Sequence, residues 1–208
     1  MTFSLWLSLL GASLLISFTP GAGAINTMNN ALNAGFRRSF WGILGQQAAL
    51  LVHVLVVAAG VGVLVANSPI AFAVVRYLGA AYLVYLGIGL LRAKPDPDTA
   101  AVDVRAHEPA ASMFRRGLWV NLLNPKAIVF FLAFTPQFIR QQEPLVPQYL
   151  VLIGTIVAVD ILVMWFFFAA TAKGFRRFTR NVRGQRILNL VFGTLFIFVA
   201  ALLLFLHQ

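Results

Sequence analysis

Residues 19–33, TPGAGAINTMNNALN, sit where an apolar helix ought to finish crossing a membrane. Residues 3–18, FSLWLSLLGASLLISF, form an uncharged span ahead of them. Pro20, Gly21 and Gly23 then fall within four positions, and proline with glycine breaks a helix more strongly than any other residues. Past the break the spacing predicts a restarted helix. Asn26, Asn29, Asn30 and Asn33 stand at i, i+3, i+4 and i+7, which puts four amides on one face. A broken helix with a polar stripe is tolerated at membrane depth only where it lines a cavity or packs against protein. This stretch is therefore the first candidate for a site. Ala22-Gly23-Ala24 also fits a signal-peptide cleavage site, but the residues before the apolar run carry no Lys or Arg. A retained first span is the expectation.

Composition points the same way. Hydrophobic side chains make up 60% of 208 residues and charged ones only 11%, against roughly 25% charged in soluble domains. A soluble core of this length could not bury so much apolar surface, so the chain reads as a polytopic membrane protein. The length suits one compact unit. With no cysteine, disulfides and thiolate metal centres are excluded, and no cofactor is expected.

A span needs about 20 apolar residues, and six stretches qualify: 3–24, 41–66, 69–91, 117–139, 148–172 and 187–206. Gly35-Phe36-Arg37-Arg38 joins the first two, and Asn67-Ser68-Pro69 is a tight turn between the next two. Residues 93–116 form the one real linker. It holds Asp96, Asp98, Asp103 and Glu108, read as solubilising acids rather than a metal site. Most of the sixteen Lys and Arg residues fall in the first, third and fifth joints or at their edges: Arg37, Arg38, Arg92, Lys94, Arg105, Arg115, Arg116 and the run from Lys173 to Arg186. The positive-inside rule puts those joints in the cytoplasm and both termini outside. The net charge of +10 is thus topological, and nucleic acid is not an expected partner. The basic segment 173–186 would also suit anionic lipid head groups.

The two halves echo one another. Arg76-Tyr-Leu-Gly opens the third span and Arg186-Ile-Leu-Asn the sixth, 110 residues apart; Pro20 and Pro125 interrupt the first and fourth, 105 apart. Three spans per half give the halves opposite orientations. The expected fold is an all-α integral membrane protein with six transmembrane helices in a 3+3 inverted repeat. Residues 1–92 form the first repeat, 93–116 a cytoplasmic linker and 117–208 the second repeat. Interrupted helices in matching positions of inverted halves point to a transporter's midplane site.

Asn124 and Pro125 read as an N-cap followed by proline at the first helical position. The half-helix they begin, and the one after the Pro20–Gly23 break, would aim free N–H groups and positive dipole ends inward. Two such ends facing one cavity suit a carboxylate, with Lys126 adding a full charge. Asn26, Asn30, Asn121 and Asn124 suit an ammonium or hydroxyl group; tying helices together is the bland role for them, and snorkelling the bland role for Lys126. Asp160 is the only acid within a span. An ionised Asp at a helix centre costs about 2.5–3.5 kcal/mol on insertion scales, which makes it a functional candidate by default, fit to bind and release a proton. His53, 107 residues earlier, is the one histidine inside a span and a second candidate for coupling. Gln46 and Gln47 suit either the cavity wall or helix packing.

Five stretches carry a family resemblance: SFTPGAGAINTMNNALNAGFRR (17–38), LLVHVLVVAAGVGVL (50–64), RYLGAAYLVYLGI (76–88), VNLLNPKAIVFFLAFTPQFI (120–139) and IVAVDILVM (156–164). The first and fourth are specific; the others alone are weak. Together they resemble the LysE/RhtB superfamily of small bacterial amino-acid exporters over nearly the whole chain. Where many members have Pro-Gly-Pro, this chain has Pro20-Gly21-Ala22, as is typical of the homoserine branch. The resemblance implies efflux of homoserine, its lactone or threonine across the bacterial inner membrane by proton antiport. It places the substrate on Pro20, Gly21, Asn26, Asn124, Pro125 and Lys126, and the proton on Asp160. It leaves the oligomeric state and the choice among related substrates such as leucine open.

Other classes fit less well. Intramembrane proteolysis needs a Ser with its base, a second membrane Asp or HExxH; a primary pump needs a P-loop. None of these motifs occurs. A pore is the nearer rival, since broken polar helices line pores too, but a pore passes substrate regardless of a pH difference.

Overall fold

The computed structural model describes residues 1–94, 108–140, 142–174 and 181–205. Among these the chain is helical, with no strand. α1 (Phe3–Phe18) and α2 (Ala22–Ala34) are followed by α3 (Phe36–Asn67) and α4 (Pro69–Arg92). Then come α5 (Ala110–Leu122), α6 (Pro125–Phe134) with a 3-10 turn (Thr135–Phe138), α7 (Leu145–Leu162) and α8 (Val182–Phe205). α7 runs straight into a π-helical stretch, Val163–Ala169, where Ala170 N–H donates to the Trp165 carbonyl, five residues back.

The two proline interruptions break the helix ladder as the sequence predicts. At the first, Thr19 closes α1 by donating its N–H and its hydroxyl to the Leu15 carbonyl. Pro20 has no N–H to continue the ladder, and α2 restarts after an extended Gly21. At the second, the Asn124 side chain accepts from Lys126 N–H at 3.1 Å, and Pro125 takes the first helical position. Each pair of half-helices is bent by 58°. Among the described residues two helical stretches, Phe36–Gly60 and Leu145–Ala169, are long and apolar enough to cross a membrane, and each bent pair passes the same test when taken as one span. α4 adds a shorter apolar stretch, Tyr77–Arg92. The chain is a multi-pass, all-helical membrane protein.

Two joints differ from the sequence reading. The first is a single residue: Gly35, at φ 92°, is the one positive-φ glycine among the described residues, and Arg37 and Arg38 already lie in α3. The 93–116 linker is shorter than expected, because its last seven residues belong to α5; Asp96, Asp98 and Asp103 lie outside the described residues.

Lipid tails are as apolar as leucine, so helices in a membrane associate through close packing, helped by small residues. Two seams show this. Gly45 of α3 lies against the Phe114 carbonyl of α5, and Gly117 of α5 against the Gly42 carbonyl of α3, so tightly that a Cβ at either position would strike main-chain oxygen. Gly87 of α4 and Gly193 of α8 face each other in the same way, each 2.8 Å from the other's carbonyl when given a Cβ. Between the seams, Leu50, Val54, Phe130, Phe131, Phe134, Leu152 and Ile156 form the main core. A second cluster, with Met28, Ile43, Val163, Met164 and Phe168, packs beneath α2. Large apolar side chains such as Leu55, Ile70 and Leu150 are left exposed, which suits a surface turned to lipid.

Candidate functional site

The breaks meet. Lys126, one residue past Pro125, reaches across to the end of α1, and its ammonium donates to the Thr19 carbonyl at 2.6 Å and the Ile16 carbonyl at 3.1 Å. Its stem passes over Gly21, where a Cβ would lie 3.3 Å from both Cε and Nζ. A helix C-terminus presents carbonyls without internal partners and the negative end of the dipole, so a cation there is well placed. Lys126 does not snorkel out; it staples one interrupted helix to the other.

Beside this staple lies a cavity of about 50 Å³, room for a few waters. Its polar lining comes from both halves: Ser17, Gly23 and Gln46 from the first, and Asn121, Asn124, Lys126 and Asp160 from the second. Phe130, Phe131, Ile156 and Met164 wall it on the apolar side. Asp160 is held by donors from the first half: Ser17 Oγ at 2.9 Å on one oxygen and Gln47 Nε2 at 2.7 Å on the other. The π-helical stretch begins three residues after it, and such local widening recurs at functional sites. Gln46 donates to the Gly23 carbonyl at 3.1 Å and Thr27 Oγ1 at 3.0 Å. Asn121 in turn donates to the Gln46 carbonyl.

The other expected residues stand elsewhere. His53 is buried but does not line the cavity; it stacks on Phe131, with ring centroids 5.5 Å apart, and its Nε2 lies 3.3 Å from the Leu122 carbonyl. Asn26 and Asn30 are buried one and two turns past Gly23, and their side-chain oxygens accept from Arg116 of α5. Arg116 Nε meets Asn26 Oδ1 at 3.0 Å, and Nη2 meets Asn30 Oδ1. Nη2 also lies 2.8 Å from Glu108 Oε2, whose other oxygen accepts from Ser112 at 2.6 Å. Arg38 donates to the Glu108 carbonyl. This cluster corrects the reading of Glu108 as a solubilising acid, since its side chain is only 7% exposed. Nothing in the linker's composition marked it. A serine four residues on and an arginine eight on, at helical spacing, were the available signal. Of the basic segment 173–186, residues 175–180 lie outside the described residues.

A membrane protein whose two interrupted helices meet beside a small cavity, with polar groups from both halves and the charged Lys126 and Asp160 from the second, has the build of a transporter. The particular family follows from comparison: the chain matches the LysE type translocator model over residues 14–207 and belongs to that family. It is 41% identical over 206 residues to the homoserine/homoserine lactone efflux protein of Salmonella typhi, covering 98% of this chain and 97% of that one. The protein of the same name in Salmonella typhimurium is 40% identical over the same share. An uncharacterized membrane protein of Vibrio cholerae is 39% identical over 197 residues, 94% of each chain. No solved structure matches the chain.

Proposed function

We propose that this protein is a secondary active exporter of small neutral amino acids, with homoserine and its lactone as the first substrates to test. The observation that carries the reading is the cavity between the two breaks, shared by Lys126 and Asp160. The names borne by its relatives supply the substrate class. An ammonium has three N–H donors; two of Lys126's are engaged by main-chain carbonyls, which leaves one for a substrate carboxylate. Asn121 and Asn124 supply amide groups for the rest of the molecule.

The coupling ion is the proton, carried by Asp160. Protonation from outside weakens its hold on the Ser17 and Gln47 donors and favours one arrangement of the halves; substrate between the breaks favours the other. His53, screened from the cavity by Phe131, acts on this step only indirectly. The equal 58° bends of the two pairs support a 3+3 inverted repeat of 1–92 and 117–208, joined by the 93–116 linker, with alternating access between them. In this reading the chain sits in the bacterial inner membrane, both termini lie outside the cytoplasm, and segment 173–186 rests on anionic head groups.

The test is uptake of a panel of amino acids and lactones into inside-out vesicles, with and without an imposed pH difference. Uptake that needs an acidic interior, and is lost in Asp160→Asn while substrate still binds, is the expected result. Uptake indifferent to the pH difference would make the protein a pore. Normal driven uptake by Asp160→Asn would remove that residue as the proton carrier.

A further inference from the structure

The Arg116 cluster lies outside the cavity, beside the first turn of α3, where Arg38 donates to the Glu108 carbonyl. It joins the two halves at a second level, and its construction differs from that of the Lys126 staple. Each acceptor of Arg116 is a side-chain oxygen: Asn26 Oδ1, Asn30 Oδ1 and Glu108 Oε2. Side chains can rotate away and exchange partners; main-chain carbonyls at a helix end cannot. The Arg116 side chain is also 31% exposed.

A second observation concerns donors. Asn26 and Asn30 are 6% and 1% exposed, and the amide nitrogen of each is buried without a hydrogen-bond partner. Buried polar groups are nearly always paired, so each exception asks for an explanation. These two converge: both Nδ2 atoms lie beside Gly42, where a Cβ would collide with the Asn30 nitrogen and come within 3.5 Å of the Asn26 nitrogen. Two amide donors and a guanidinium therefore meet at one place, where Glu108 is the only strong anion among the described residues. That is a donor set short of an acceptor, and a planar carboxylate is the group an Arg fork and amide N–H donors suit best.

We propose that Arg116, Asn26 and Asn30 form an entrance subsite on the cytoplasmic side for a zwitterionic amino acid. The substrate's carboxylate takes Arg116 and the amide donors, and its ammonium takes the Glu108 carboxylate so released. In the present structure Glu108 and Arg116 bond to each other, each holding the place that a zwitterion's group of the same sign would take. The ion pair thus shuts the entrance until a substrate gives each of the two a new partner of the same sign as the old one, after which the substrate passes one turn on, to Gly23 and Asn121 of the cavity. A lactone has the ammonium but no carboxylate, so it gains half of this recognition. This subsite rests on the efflux reading above and adds a selectivity to it.

The experiment measures the apparent KM for uptake into acid-interior, inside-out vesicles, whose outer surface is the cytoplasmic face, with homoserine and homoserine lactone as probes. Arg116→Gln removes the cation and keeps an amide; Arg116→Lys keeps the charge and loses the fork, and gives the same reading should the first variant fail to insert. The expected result is a rise in KM for homoserine of about tenfold or more, the value of one charge-assisted hydrogen bond, with a rise for the lactone several times smaller. Glu108→Gln raises KM for both probes, because both carry the ammonium. Equal rises for the two probes in the Arg116 variants, or no change in either, would overturn the subsite. Wild-type vesicles that take up neither probe would instead bring down the efflux reading, and the subsite with it.

Discussion

Lys126 and Arg116 both carry a positive charge from the second half of the chain onto the first, but they land on different kinds of acceptor. Lys126 ends on the Ile16 and Thr19 carbonyls of α1, atoms fixed by the helix itself. Arg116 ends on two amides and a carboxylate, all of them side-chain groups with rotatable bonds of their own. The same division separates the helix seams: α3 and α5 meet main chain to main chain through Gly42, Gly45 and Gly117, while Asp160 meets α1 and α3 only through Ser17 and Gln47. Contacts to main chain hold the halves in register; contacts between side chains are the ones a cycle can exchange.

This division can be broken by measurement. The largest effect should be on the exchangeable side: Asp160→Asn is expected to reduce pH-driven uptake to background while thermal unfolding in detergent shifts little. A large loss of stability in that variant would place Asp160 with the fixed contacts instead. Next, Lys126→Met is expected to lower the unfolding free energy by about 3 kcal/mol, since two buried carbonyls lose their donor. Arg116→Gln, whose partners can turn to other groups, should lower it by no more than about 1 kcal/mol. Equal losses would erase the distinction. Gly117→Ala, which drives a methyl into the Gly42 carbonyl, should cost about 1–3 kcal/mol as overpacking of a seam that cannot relax. Asn124→Ala removes the cap of α6 and should cost roughly 1 kcal/mol. The smallest effect belongs to Gly154→Ala in α7, where nothing lies within 4 Å of the added Cβ; the change should stay within about 0.5 kcal/mol or stabilise slightly. A larger loss there would mean that α7 meets a partner on that face.

The breaks were legible in the sequence because their causes are local. A proline without an N–H and an asparagine before it act on the residues beside them, and so Pro20, Asn124 and Pro125 could be read without a fold. Lys126 and Asp160 were each singled out by the rarity of charge inside a span, but that the two share one cavity was not legible, since it depends on how α6 and α7 are placed in the fold. The grip on Asp160 was only half legible, with Gln47 noticed as polar and Ser17 lost among the hydroxyls of an apolar helix. The Arg116 cluster went unread, although the spacing of Glu108, Ser112 and Arg116 carried a faint signal. Arg116 carried two messages at once, and the topological one, a positive charge beside a span, is satisfied by any arginine there. Glu108 sat among aspartates of an acidic, proline-rich stretch and shared their look, while its partners lie 70 and 8 residues away in opposite directions. Asn26 and Asn30 were rightly set on one face, but their oxygens meet a guanidinium that no periodicity announces. The π-helical stretch after Asp160 had no residue signature either, since apolar runs such as VMWFFFA suit α and π turns alike.

Gly35 is the whole of the connection between α2 and α3, one peptide unit turned by a backbone angle that glycine alone adopts easily. A tether one residue long has no slack. Any tilt of α2 that moves Asn26 and Asn30 must drag the first turn of α3 with it, and Arg38 on that turn holds the Glu108 carbonyl. Lengthening this tether by even one or two glycines would let the amides and the arginine move independently, and would uncouple the two ends of the cluster without touching a single polar group in it.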